Sequence, residues 1–120
     1  MPNRISGRGK VDTNILQRDV YLRKTVESII DHYRPIQIYL FGSKARGDEG
    51  PNSDYDLLVV VRDKVPREKR NQFHDLRWKL GLTKAIDVVI FTKEGFESRL
   101  DVKTSLPSTV VGEGKLLYAA

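Results

Sequence analysis

The sequence predicts a single α/β domain built around a small sheet, and three observations carry that prediction. A helical apolar stripe opens the patterned part of the chain, short aliphatic runs follow that read as strands, and a second helical pattern separates two of those runs. Glycine and proline stand mostly at the joints, so most elements have a readable start and stop.

Residues 1–12, with Asn3, Arg4, Gly7, Arg8, Gly9 and Lys10, lack periodicity and read as a flexible basic tail, leaving 13–120 as the domain. From about Thr13 the pattern is helical: Ile15, Leu22, Val26, Ile29, Ile30 and Tyr33 draw one apolar stripe. Pro35 ends that helix, because its ring pushes the preceding residue out of the α region. Ile36 to Phe41 reads as a strand, and Gly42 to Ser53 as a turn-rich connection with a short helical turn around Lys44 to Arg46.

Asp56 to Val61 reads as a second strand, whose unbroken Leu-Leu-Val-Val-Val predicts burial on both faces. Pro66 suits the first turn of a helix running to about Leu80, with Phe73, Leu76 and Leu80 as its inner stripe and Gly81 at its end. Ile86 to Phe91 reads as a third buried strand. Thr92 has the chemistry of an N-cap for a short helix through Phe96 to Leu100. Residues 101–110 give no clear pattern beyond Pro107 forbidding a long uninterrupted helix, and Gly112 to Gly114 break the chain before a last strand, Leu116 to Tyr118.

Composition narrows the chemistry. A chain of 120 residues fits one ordinary domain, and its 39% hydrophobic content is low but gathered into runs. The net charge of +5 favours phosphate-bearing or acidic partners without choosing among them. The absence of cysteine excludes disulfides, a thiolate nucleophile and a thiolate zinc site. His32 and His74 have no ligand spacing between them. The longest aliphatic run, Leu57 to Val61, is far short of the ~20 residues that span a bilayer. With no apolar signal core near the N-terminus, a cytoplasmic protein without membrane contact is expected.

Three features carry candidate chemistry. In Asp54-Tyr55-Asp56, residues two apart on a strand share a face, so both carboxylates are placed to enter one site. A divalent cation would relieve their repulsion, and Mg²⁺ takes such oxygen ligands together with substrate phosphates. In Phe41-Gly42-Ser43 a strand runs into a turn whose glycine permits close backbone approach, a geometry suited to phosphate. Asp87 interrupts the aliphatic run Ala85 to Ile90, where a charge requires pairing or a metal. Each has a plain alternative: a soluble sheet edge, an ordinary turn, a structural salt bridge. Together they supply what metal-assisted phosphoryl transfer needs.

Gly42-Ser43-Lys44-Ala45-Arg46-Gly47, followed by Ser53-Asp54-Tyr55-Asp56-Leu57-Leu58-Val59, closely resembles the signature of minimal nucleotidyltransferases of the DNA polymerase beta superfamily. Ile86-Asp87-Val88-Val89 resembles that family's third carboxylate strand, and Glu113-Gly114-Lys115-Leu116-Leu117-Tyr118 its usual final strand. The resemblance implies a nucleotidyltransferase fold, a small mixed sheet flanked by helices. It also implies that Asp54, Asp56 and Asp87 are catalytic and hold two Mg²⁺ ions, while Gly42 and Ser43 bind the terminal phosphates of ATP. Lys44 and Arg46 would add positive charge beside the triphosphate. The implied reaction is AMP transfer to an acceptor hydroxyl with release of pyrophosphate.

Small relatives of this kind pair with a separate helical protein of the HEPN type as a toxin–antitoxin system. The resemblance therefore implies an antitoxin that adenylylates its partner on a tyrosine, and leaves open whether the chain forms a homo- or hetero-oligomer. The alternatives are a binding module that neutralises a toxin without turnover, or transfer to a small molecule or an RNA end. The basic helix carrying Arg67, Lys69, Arg70, Arg77 and Lys79 offers a partner or RNA a surface, but a solvated face is the favoured reading.

Overall fold

Asp19 divides what the periodicity presents as one helix. The computed structural model, which describes residues 11–42, 45, 55–82 and 84–120, has α1 at Thr13–Arg18 and α2 at Val20–Tyr33. Between them Asp19 is extended (φ −115°, ψ 95°), and its carboxylate accepts the Leu22 N–H at 3.0 Å. The short acidic side chain offers the backbone a competing partner, so the predicted single helix is corrected to two. Arg34, just before Pro35, takes the left-handed conformation (φ 50°, ψ 58°) and ends α2 as expected.

The strands are β1 (Gln37–Phe41), β2 (Tyr55–Val61), β3 (Ile86–Thr92) and β4 (Lys115–Ala119). They form one mixed sheet in the order β3-β2-β1-β4. β1 pairs antiparallel with both β2 and β4, whereas β2 and β3 are parallel. A parallel pair needs a crossover, and α3 (Arg67–Lys79) supplies it. Pro66 precedes its first turn, Glu68 lies in that turn, and Arg77 and Lys79 lie in the last, an order that suits the helix dipole.

Thr92 caps α4 (Lys93–Ser98) by accepting the Gly95 N–H at 3.1 Å, as its chemistry predicts. The unpatterned segment ends in α5 (Leu106–Glu113), where Ser105 accepts the Ser108 N–H at 3.2 Å and Pro107 lies in the first turn. Gly112 belongs to that helix, so the expected break narrows to Gly114. A Cβ at Gly114 would come within 2.6 Å of the Val110 carbonyl oxygen and 2.7 Å of the Leu40 carbonyl oxygen.

The sheet is apolar on both faces. Tyr55, Leu57, Val59 and Val61 of β2 pack with α2 and Phe73 of α3, while Leu58 and Val60 pack with Tyr39, Phe96, Val110 and Leu116. The two-sided burial expected of β2 is observed, and each such side chain contributes roughly 1.5–3 kcal/mol. β3 is different. It lies at the edge, its residues are partly buried or exposed, and the expectation of a third buried strand is corrected. The crossover sets β3 outside β2, where it has a neighbouring strand on one side only among the described residues.

Smaller contacts join the layers. Asp12, read with the tail, caps α1, donates its N–H to Leu116 O at 2.7 Å and pairs with Lys115 at 3.6 Å. Residues 1–10 of that segment lie outside the described residues. His32 Nε2 is 2.6 Å from Lys69 O, and its ring lies 4.7 Å from Tyr33 and 5.6 Å from Phe73, so it ties α2 to α3. Among the described residues, no helix is long and apolar enough to cross a membrane.

Candidate active site

The parallel register of β2 and β3 sets Asp56 directly beside Asp87. Neighbouring strands lie about 4.8 Å apart and registered residues share a face, so both carboxylates project from one side of the sheet. That side also carries Leu58 and Val60, which α4 and α5 cover through Phe96 and Val110. The cover ends before the carboxylates, since Asp56 is half-buried and Asp87 exposed. Both acids therefore stand at the open end of an otherwise sealed face.

β1 delivers the third component. Phe41 is registered with Asp56, so Gly42 emerges next to that carboxylate. Gly42 has φ +76°, and a Cβ built there would overlap Asp56 Oδ2 and stand 3.2 Å from Cγ. Glycine is thus required twice, by the backbone conformation and by the approach of the carboxylate. Its carbonyl accepts the Ala45 N–H at 3.1 Å, which closes a turn over the buried Ala45.

A polar cluster on the opposite face holds the segments that lead into both acidic strands. Tyr55, one residue before Asp56, donates its hydroxyl to Asp19 Oδ2 at 2.6 Å and stacks on Tyr21 at 5.6 Å. Tyr21 donates its hydroxyl to Lys84 O at 3.2 Å, and Arg77 Nη2 donates to the same oxygen at 2.9 Å. Lys84 Nζ lies 5.2 Å from the centre of the Tyr21 ring, and the Tyr55 N–H donates to Ala85 O at 3.3 Å. Asp19 therefore caps α2 and orients β2 at once. Sequence reasoning missed this cluster; its one signal is an acid set inside an apolar helical stripe.

Of the residues singled out in the sequence, Gly42, Asp56 and Asp87 come together. Ser43, Lys44, Arg46 and Asp54 lie outside the described residues. Asp87 is exposed on an edge strand rather than trapped in a buried one, and no partner ties its side chain among the described residues. Among the described residues no salt bridge accounts for it. Among the described residues no group of three metal-ligating side chains occurs. Two carboxylate donors from adjacent strands beside a glycine turn nevertheless suit a hard divalent cation that retains water and phosphate ligands.

Comparison with known proteins bears on the fold and the family. A toxin–antitoxin crystal structure containing AMP-PNP is 28% identical, with a TM-score of 0.59, and the alignment covers 82% of this chain and 73% of that one. A crystal structure from Sulfolobus solfataricus, of a protein proposed to be a nucleotidyltransferase, shares the fold at 21% identity and a TM-score of 0.53, over 95% of this chain and 92% of that one. An MNT antitoxin complexed with tri-AMPylated Shewanella oneidensis HEPN toxin shares it at 22% identity and 0.53, over 84% and 71%. No curated protein matches in sequence. The family model described as nucleotidyltransferase domain matches residues 22–117, which takes in β1, β2, β3 and the acids they carry. The chain belongs to the nucleotidyltransferase domain family.

Proposed function

We propose that this chain transfers AMP from ATP to a tyrosine hydroxyl of a separate helical protein of the HEPN type, acting as the antitoxin of that pair. The observation that carries the reading is the register of Asp56 with Asp87 beside the Gly42 turn. The similar toxin–antitoxin structure with AMP-PNP supports a nucleotide triphosphate as donor. The AMPylated toxin in complex with an MNT antitoxin supports a protein as the acceptor.

Gly42 lets the backbone come close to the terminal phosphates, and Ser43, Lys44 and Arg46 follow it in sequence to complete the phosphate site. Asp54, Asp56 and Asp87 would hold the divalent cations, which when bound supply charge neutralisation along the triphosphate. The Asp87 carboxylate accepts the acceptor's hydroxyl proton. The hydroxyl oxygen bonds to the α-phosphorus, the bond from that phosphorus to the β-phosphate's bridging oxygen breaks, and pyrophosphate departs. The cytoplasm, with its ATP, is the compartment such a reaction needs.

The test uses the purified chain, Mg²⁺, a HEPN-type partner and ATP labelled at the α- or the γ-phosphate. The α-label moves to the partner, the γ-label leaves as pyrophosphate, and replacing the partner's acceptor tyrosine by phenylalanine ends transfer. Label arriving from the γ-position, or none from either, overturns the reading. A chain that neutralises the partner equally well as Asp87→Asn acts by binding.

A further inference from the structure

β3 borders the site and also ends the sheet, and the two facts are connected. No strand meets its outer side among the described residues. The register shows which backbone groups point there. Tyr55 is paired with Ile86 and donates its N–H to Ala85 O at 3.3 Å. In a parallel ladder this bonding turns the peptide groups of Asp87, Val89 and Phe91 toward β2, and those of Val88 and Ile90 outward. Edges are ordinarily blunted by lysine, proline or a bulge, yet Ile86–Thr92 contains neither residue and Asp87 is its sole charge.

The two faces beside this edge differ in chemistry. Asp87 projects to the site face. Ile86, Val88 and Ile90 project to the other, where they line a groove of about 180 Å³ together with Arg70, His74 and Arg77. Among the described residues that line this groove the charged side chains are Arg70 and Arg77, His74 can join them, and none is acidic.

We infer that the acceptor enters as an extended segment that adds a strand to the outer edge of β3, with its reactive side chain beside Asp87 and acidic neighbours over the groove. The inference rests on the proposed transfer to a protein hydroxyl and names how that acceptor is recognised. Alternation in a strand puts one residue on the site face and the residues before and after it on the groove face, where Arg70 and Arg77 meet their carboxylates. The added strand would lie about 4.8 Å beyond β3. Its reactive oxygen must then reach across to Asp87, about 4.8 Å or one strand spacing away, a span that tyrosine covers and serine does not.

The probe is a nine-residue peptide with a central tyrosine between two glutamates and valine or threonine elsewhere. AMP transfer to it is measured as kcat/KM with each backbone amide N-methylated in turn. Methylation of alternate amides lowers kcat/KM by about tenfold or more, and methylation of the intervening ones changes it little. A serine-centred peptide takes no label. Arg70→Glu lowers transfer to the glutamate-flanked peptide and raises it for a lysine-flanked one. Absence of a period-two pattern, or indifference to the flanking charge, overturns the inference. So does edge-to-edge pairing of two copies, seen as a dimer that Val88→Pro splits while transfer stays unchanged. If the intact HEPN-type partner is labelled and the peptide never is, edge recognition fails and the proposed function stands. If neither is labelled, the proposed function itself fails.

Discussion

Gly42→Ala separates a glycine kept for chain flexibility from one kept for the site. At φ +76° a non-glycine residue is strained by roughly 1–2 kcal/mol. The larger consequence is local: the new Cβ would collide with Asp56 Oδ2, and to restore ordinary contact the carboxylate must retreat by roughly 1 Å. Displacement on that scale costs about 10²-fold in rate when the displaced group organises the reaction. Destabilisation should remain small, because Gly42 is at the half-buried end of β1 and not in the core. The assay pairs a denaturant melt with initial rates of AMP transfer. The expected result is a modest loss of stability with a fall of about 10² in kcat. A variant that retains wild-type turnover refutes the placement of the Asp56 carboxylate against Gly42.

Three further outcomes follow from the packing. Asp19→Ala removes the α2 cap and the acceptor for Tyr55, and should cost about 2 kcal/mol in urea unfolding while slowing transfer through the altered start of β2. A variant with wild-type stability would remove Asp19 from the account. Phe96→Ala empties a fully buried position under the site face and should cost about 3–5 kcal/mol in the same assay, far more than any exposed substitution on α3. Burial raises the pKa of Tyr33 above its ordinary 10.0, with Arg70 opposing the rise. The folded state thus holds that proton more tightly than the unfolded state, so the contribution is complete below pH 10 and is lost as pH climbs above it. Tyr33→Phe, which cannot ionise, should show a flatter decline of melting temperature over that alkaline range.

Much of this arrangement is legible in the sequence because local chemistry and global fold agree there. The run from Leu57 to Val61 is apolar on both alternations, and the sheet seals both faces. Pro35, Pro66 and Thr92 act where their covalent geometry or hydroxyl makes them act. What escaped was set by tertiary context. Asp19 lies inside a continuous stripe, and only its bonds to Leu22 and Tyr55 show why the helix divides. The segment Ala85 to Ile90 has the composition of a central strand, but its place at the edge depends on the α3 crossover, which periodicity does not encode. The sequence accordingly points to Asp87 for a burial it lacks, while its actual relation, registered beside Asp56, depends on the sheet.

The central claim is that Asp56 and Asp87 form one site that performs nucleotidyl transfer. Its most direct test is the rate of acceptor labelling and pyrophosphate release by Asp87→Asn, measured with a thermal melt of the same sample. Asp87 is exposed and tied to no described partner, so the isosteric change should leave the melt near that of the wild type. The account predicts a loss of about 10²–10⁴-fold in rate, the worth of a positioned general base. An Asp87→Asn chain that folds normally and transfers AMP at the wild-type rate would contradict it.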